Sequence, residues 1–318
     1  MANLKDIRRR IKSINNTAKI TRAMEMVSAA KMRKAIDSVL AIREYAHSAW
    51  SILGNLSRAF EKYDYGLLEV RPVEKVLMVV ITSNRGLCGA FNSQTIKKIM
   101  SQVDNPKSLA INRVGKKKIE PKVDLDKIAI DFITIGRKGE DLVRRLGKNI
   151  IATFPELTYL PGIESVRPVS KLITDEYLEK NYDKVVIVYT DFISVISQEA
   201  KIRQLLPVSK IDLEKQIADI DNLAEEYDLD KPIKEYKVEP KPRRVLEHIF
   251  PRLIEMQIYH AILESNASKE SSRMMAMRNA TDSAKEIAGD LTLMHNQIRQ
   301  MKITQEISEI SAGRAALE

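Results

Sequence analysis

Apolar residues recur every three or four positions at both ends of this chain and in short unbroken runs in its middle, so the sequence divides itself by period. One heptad frame runs from Leu4 to Phe60 through Ile7, Ile11, Ile14, Ala18, Met32, Ala35, Val39, Ile42, Ala46, Ala49, Leu53 and Leu56, and is broken only at Thr21, Glu25 and Ser28. No Pro precedes Pro72 and Gly54 is the only Gly in the stretch. Nothing therefore stops a helix of roughly 60 residues, on the order of 90 Å long. The breaks predict a place where one helix leaves the regular seam.

The second helical stretch follows Pro242 and carries only Pro251, in its first turns. Its seam reads Leu246, Ile249, Leu253 and Met256, then slips in phase and resumes at Met277, Ala280, Ala284, Ile287, Leu291, Met294, Ile298 and Met301. Two successive steps of three, Met274 to Met277 to Ala280, predict a stammer that overwinds a supercoil. Each helix must cover its apolar seam, and the other terminal helix is the simplest cover. An antiparallel coiled coil of residues 1–62 and 243–318 is the expectation, with residues 63–242 inserted between the two helices.

In that insert Lys75–Thr82, Ile128–Thr134 and Val185–Thr190 are short apolar runs bounded by turn residues, which reads as buried strands. Helical patterns lie between them at Ser93–Val103, Gly139–Leu146 and Pro168–Asn181, and a further strand is expected over Gln198–Leu206. The alternation predicts an α/β, Rossmann-like domain with a parallel-type sheet and crossover helices. Two stretches read as long loops or short helices outside the sheet. Residues 105–126 hold Pro106, Gly115, Pro121 and the run Lys116 to Lys118, and residues 211–242 are acidic at first and end in Glu239-Pro-Lys-Pro242.

Aromatic residues make up only 5% of the chain, which fits aliphatic seams better than one large interior. Cys88 is the only cysteine, so no internal disulfide forms and a reducing compartment is the default. No leader is visible at the N-terminus, and the longest apolar run, Val76–Ile81, is far short of the roughly 20 residues of a membrane span. The net charge of +9 is unevenly placed: residues 1–34 carry ten Lys or Arg against Asp6 and Glu25, whereas residues 243–318 carry ten of each sign. An acidic partner for the first helix is implied, the plainer reading being a solvated basic face.

Candidate chemistry is sparse. Arg85-Gly-Leu-Cys-Gly-Ala-Phe-Asn92 sits where a phosphate loop follows a strand and opens a helix, but it lacks both the G-x-G-x-x-G spacing and a GK[ST] ending. A tight strand-to-helix turn is the alternative. His47, His248, His260 and His295 show no metal-ligand spacing, and His260 falls on the coiled-coil face, where packing is the expected role. No catalytic, cofactor or metal residue is assigned. The Met residues near Met24 and Met274 read mainly as core filling, with side chains also suited to a surface that slides against changing neighbours.

Three runs then carry a resemblance: Ile14-Asn-Asn-Thr-Ala-Lys-Ile-Thr-Arg-Ala-Met-Glu-Met-Val-Ser-Ala-Ala-Lys-Met-Arg-Lys34, Arg85-Gly-Leu-Cys-Gly89, and Ser272-Arg-Met-Met-Ala-Met-Arg-Asn-Ala-Thr-Asp282. With the tail Arg299-Gln-Met-Lys-Ile-Thr-Gln-Glu306-Ile-Ser-Glu309, the chain strongly resembles the gamma subunit of F-type (rotary) ATP synthases of the bacterial type. The likeness is weakest over 105–126 and 211–242. The resemblance implies a rotor shaft: the coiled coil stands in a ring of three alpha and three beta subunits, and the α/β foot meets the epsilon subunit and the membrane c-ring. Proton flow through the c-ring then drives ATP chemistry on beta. It also implies a subunit with no catalytic site of its own and no cofactor, no nucleic acid as partner, and a peripheral place on the cytoplasmic side of the cell inner membrane.

By the same resemblance Arg8, Arg9, Arg10, Arg22, Arg33 and Lys34 face acidic loops of beta, and Met24 matches a beta contact. Arg299, Gln300, Thr304 and Glu306 match polar residues that bond the beta subunits, with Arg273 and Glu309 supporting them. Chloroplast members carry a redox-active Cys pair before the last helix, and here residues 211–242 contain no Cys. Two readings from other classes stand beside this one. A nucleic-acid-binding coiled coil would use the basic first helix on phosphates, with affinity falling steeply with salt, and an enzyme on the α/β segment would use the Arg85–Asn92 loop.

Overall fold

The structure, a computed structural model, describes residues 4–60, 66–110, 112–114, 117–119, 128–158, 161–208 and 242–315. The boundary expected near residue 62 and nearly all of the acidic stretch from Ile211 lie outside these described residues. The elements in order are α1 (Leu4–Phe60), β1 (Lys75–Ile81), α2 (Phe91–Asp104), α3 (Lys107–Ala110), β2 (Asn112–Val114), β3 (Lys117–Ile119), β4 (Ala129–Ile135), α4 (Arg137–Arg145), β5 (Ile150–Thr153), α5 (Arg167–Leu178), β6 (Lys184–Phe192), β7 (Gln198–Leu206) and α6 (Pro242–Ala315). The chain forms two compact units, Met1–Ala29 with Arg273–Glu318, and Ala30–Ser272.

The larger unit is built on a five-stranded sheet of order β5-β4-β1-β6-β7. β1 pairs in parallel with β4 and β6, β4 in parallel with β5, and β7 closes the edge antiparallel to β6. Central β1 is buried along Val76–Ile81 because both its faces are covered. Val76, Met78 and Val80 pack with Ile99 of α2 and Leu142 and Val143 of α4. Leu77, Val79 and Ile81 pack with Val169, Ile173 and Tyr177 of α5 and with Phe250, Leu253, Ile254, Ile258 and Ile262 of α6. The period of two in β1 thus sorts its side chains onto two layers.

That second layer corrects one expectation. The early seam of α6 is covered by the sheet, with Phe250 and Ile254 fully buried against it. From Glu255 to Ser271 polar residues are buried as well as apolar ones, His260, Glu264, Ser265, Ser268 and Lys269 among them. Glu255 takes both Arg167, with Nε at 3.2 Å, and Arg252, with Nη1 at 2.9 Å.

Two further expectations need correcting. The stretch from Asn105 is not wholly outside the core: Leu109 and Ala110 are buried, and the Lys184 ammonium, itself 3% exposed, donates to the Leu109 carbonyl at 2.9 Å. β2 and β3 then form an antiparallel pair. The sheet also holds β5, which Lys148 and Asn149 and a length of four residues hid from any apolar-run criterion. Arg71 fastens the segment before β1 to the end of α5. Its guanidinium lies 4.3 Å from the Tyr177 ring centroid and donates to the Tyr177 carbonyl, while burial pushes the phenol up to about 12 despite that cation.

In the smaller unit α1 and α6 run antiparallel, with Thr21 opposite Thr281. The heptad frame of α1 is not broken where its chemistry changes. Thr21 is 8% and Ser28 2% exposed, and Glu25 is half-buried, so all three keep their seam positions. No helix leaves the seam there. On α6 the seam is Met277, Thr281, Ala284 and Ala288, followed by the half-buried Leu291, His295 and Ile298. Steps of four and three alternate throughout, so the expected stammer is absent. Ile287, Met294 and Met301, expected in the seam, are 49%, 50% and 62% exposed. Around Thr21 and Thr281 the seam holds the small residues Ala18, Ser28, Ala284 and Ala288, and the bulkier apolar neighbours turn outward.

Candidate functional site

The strand order reverses between β1 and β6, and in open α/β sheets the crevice at the carboxyl ends of such strands is where ligands bind. At the neighbouring carboxyl end of β4 the chain bonds to itself. At the N-terminus of α4, where amides ordinarily attract an anion, Arg137 N donates to Asn84 Oδ1 at 3.0 Å, Lys138 N to the Ser83 carbonyl at 3.1 Å and Gly139 N to Thr82 Oγ1 at 2.8 Å. Gly136 has φ +103°, and a Cβ there would stand 2.3 Å from the Thr82 carbonyl oxygen. The approach of β1 to α4 requires a glycine at 136.

The Arg85–Asn92 loop is likewise tied to itself. Ser83 N donates to Asn92 Oδ1 at 3.1 Å, and Asn92 Nδ2 donates to Ser83 Oγ at 2.8 Å and to the buried Cys88 Sγ at 3.2 Å. The loop is a tight turn, with φ +53° at Gly89 and +62° at Leu87, whose side chain is exposed. Among the described residues no three His, Cys, Asp or Glu side chains gather as metal ligands would, and no helix is long and apolar enough to cross a membrane.

The other candidate surface is the outside of the helical pair. Between Leu4 and Ala29, α1 carries seven Lys or Arg against Asp6 and Glu25. Arg8, Arg9 and Arg10 are exposed consecutive cations. Arg22 is also exposed but is not an unencumbered charge, since its Nη1 binds both Glu25 carboxylate oxygens at 2.7 Å. Ile20, Met26 and Val27 are 61%, 58% and 54% exposed and lie among these charges, and Met24 is half-buried. Arg33 and Lys34, exposed as well, belong to the larger unit.

On α6 every residue from 301 to 314 is exposed. Arg299, Gln300, Thr304, Glu306 and Glu309 therefore all stand outward, whereas Arg273 is half-buried. Ile303, Ile307 and Ile310 form a stripe at i, i+4 and i+7 with exposures of 48%, 59% and 73%. Sequence reasoning missed these apolar side chains as surface. The signal was present in their own spacing of i, i+4 and i+7, beyond the point where the seam of α6 ends.

Within the pair, Thr21 Oγ1 and Thr281 Oγ1 lie 2.7 Å apart, and each also reaches a carbonyl of its own helix, Ala18 at 3.1 Å and Met277 at 2.8 Å. Two hydroxyl protons make two of these three contacts at a time: one hydroxyl donates to the other, which donates to the carbonyl of its own helix, so neither is left without a hydrogen bond. In the larger unit His260 is pushed down to about 3, by burial first and by Arg203 second, against the pull of Asp191. Its nearest carboxylate, Glu264, is 3.5 Å from Nε2, too far for a strong hydrogen bond. His260 is therefore a neutral, packed imidazole.

The chain matches the ATP synthase family model over residues 3–317. It is 39% identical to the ATP synthase gamma chain of Dehalococcoides mccartyi over 319 residues and 37% identical to that of Acidithiobacillus ferrooxidans over 317, in each case across all of both chains. Among solved structures it resembles a chain of the Euglena gracilis mitochondrial ATP synthase rotor, with a TM-score of 0.59 and 18% identity over 94% of this chain and 98% of that one. A chain from the central stalk and c-ring of the Tetrahymena thermophila enzyme gives a TM-score of 0.52 and 24% identity over 82% of this chain and 99% of that one. At such identities the solved structures speak to the fold.

Proposed function

This chain belongs to the ATP synthase family as a gamma chain, and from that premise we propose that its helical pair is the shaft of a rotary motor and its α/β unit the foot. The foot takes up rotation from the proton-driven c-ring together with epsilon. The shaft turns within the ring of alpha and beta subunits, and the chemistry of ATP takes place on beta. The chain itself is a non-catalytic subunit. It sits peripherally on a membrane-embedded complex, on the cytoplasmic side of the cell inner membrane.

One observation carries the reading. The helical pair turns Ile20, Met26, Val27, Ile287 and Met294 outward among charged side chains, and the last turns of α6, every residue of which is exposed, carry Ile303, Ile307 and Ile310. Exposed apolar stripes of this kind mark surfaces that a partner encloses. A self-contained coiled coil has the opposite pattern.

The contacts divide by chemistry. Arg8, Arg9, Arg10, Arg22, Arg33 and Lys34 attract acidic loops of beta over distance, with Met24 as an adaptable apolar contact. Arg299, Gln300, Thr304, Glu306 and Glu309 form directed hydrogen bonds to the ring, supported by Arg273. The match to gamma chains along the whole sequence leaves the nucleic-acid reading without support. Reconstitution tests the proposal: the chain added to its own organism's alpha and beta subunits is expected to form a stoichiometric complex that hydrolyses ATP. Failure to join that complex would overturn it.

A further inference from the structure

β6 runs further than its parallel neighbour. The β1–β6 ladder ends at Val80 opposite Val188, yet β6 continues to Phe192. The backbone of Thr190 is fully buried beyond that end, where a buried amide or carbonyl must find a partner. α6 supplies both partners: Thr190 N donates to Ser265 Oγ at 3.1 Å, and Ser268 Oγ donates to the Thr190 carbonyl at 3.3 Å. Two hydroxyls one helical turn apart stand in for the missing strand.

The arrangement extends along α6. Ser271 Oγ donates to the Val195 carbonyl at 2.6 Å in the β6–β7 turn, and Ser272 Oγ donates to Gln198 Oε1 at 2.9 Å at the start of β7. Thr190 is tied on its other side as well, its hydroxyl lying 3.1 Å from that of Thr95 in α2. Ser265, Ser268 and Ser271 are each 2% exposed or less, and with no bulk beyond a hydroxyl they bring the helix against the strand.

We propose that these serines key α6 to the sheet and that the key carries twist between the helix and the foot. The inference rests on the rotor reading given above. Apolar packing holds the helix by fit, without the directionality that a hydrogen bond adds. Hydrogen bonds weaken steeply with angle, and breaking a buried one strands its partner. The serine contacts hold α6 in one rotation and one register on β6, from which the same helix runs on to Ala315. Ser265, Ser268 and Ser271 are positioning residues and touch no reacting group.

The test uses the whole membrane complex in vesicles, measuring ATP hydrolysis and ATP-driven proton uptake together. Ser265→Ala with Ser268→Ala is expected to keep hydrolysis while protons moved per ATP fall severalfold. Hydrogen exchange at the Thr190 amide, measured in the same complex, should accelerate. Ile262→Val, on the same helix, loses a methylene and no hydrogen bond. It is expected to lower thermal stability while keeping the pumping ratio. Unchanged pumping in a double variant whose Thr190 amide exchanges faster would overturn the key, as would an equal loss in Ile262→Val. If the double variant does not assemble, Ser268→Ala alone must shift the pumping ratio in the same direction, and an unchanged ratio overturns the proposal. Hydrolysis without pumping by the unsubstituted complex would instead count against the rotor reading itself.

Discussion

Thr21 and Thr281 put a hydroxyl pair where a coiled coil ordinarily carries two aliphatic side chains. Such a pair contributes less to stability than to the choice of register, because only one alignment brings the two hydroxyls together. Thr281→Val is expected to cost about 1 kcal/mol in urea unfolding, and Thr21→Val a similar amount. The double substitution should cost less than the sum, since the second change no longer removes a partner. His260 gives a second residue-scale prediction. Its folded pKa of about 3 lies below the unfolded value near 6.5, so between those values the unfolded chain binds a proton that the folded chain refuses. Stability from this residue is fully present above about pH 6.5 and is lost as pH falls toward about 3, with a limiting slope near 1.4 kcal/mol per pH unit. His260→Gln should flatten that part of a stability profile measured by urea unfolding across the same range.

At the scale of elements, cost follows burial rather than membership of an apolar series. Leu291 is only half-buried, so Leu291→Ala is expected to cost about 1 kcal/mol, whereas Ile262→Ala in the fully buried part of α6 should cost roughly 2–5 kcal/mol by denaturant unfolding. Gln300→Ala with Thr304→Ala should leave unfolding of the lone chain unchanged to within about 0.5 kcal/mol and still slow ATP turnover by the whole complex. The two long helices, four of the five main strands and the crossover helices were legible because their periods are clean. Gln198–Leu206 was read to its ends, although its antiparallel pairing was not. On α6 Met277, Ala284, Leu291 and Ile298 keep their expected seam positions, but each position between them was displaced by one residue, because counting apolar residues favours Ile287 and Met294 over Ala288 and His295. The seam takes small and polar residues there, which hydrophobicity alone does not report. β5 was invisible for a related reason, as an edge strand of four residues beside Lys148 needs no apolar run. The buried polar stretch of α6 could not be read without knowing that a sheet covers it. Among the proposed contact residues the basic run Arg8 to Arg10 was plain from charge placement, whereas the pairing of Arg22 with Glu25 emerges only once both stand on one helix face.

For the whole molecule, the division of labour follows from where the polar groups lie. In the α/β unit the first amides of α4 bond the chain's own groups, Gly139 N to Thr82 Oγ1 and Arg137 N to Asn84 Oδ1. The helical pair has a mixed outside, with Ile20, Met26 and Val27 exposed among its cations, as a part that bears on changing neighbours requires. Replacing Arg8, Arg9 and Arg10 together with Gln should weaken coupling to the catalytic ring more than replacing the equally exposed Arg144, Arg145 and Lys148 of the foot, and the difference should shrink at high salt, each exposed charge being worth about 0–1 kcal/mol. The most direct test of the central claim is to watch the chain turn. With the alpha and beta ring of its own organism fixed to a surface and a bead attached to the foot through Lys171→Cys in a Cys88→Ser background, ATP is expected to drive continuous rotation of the bead in one direction. ATP hydrolysis by the same complexes with the bead held still or turning at random would contradict it.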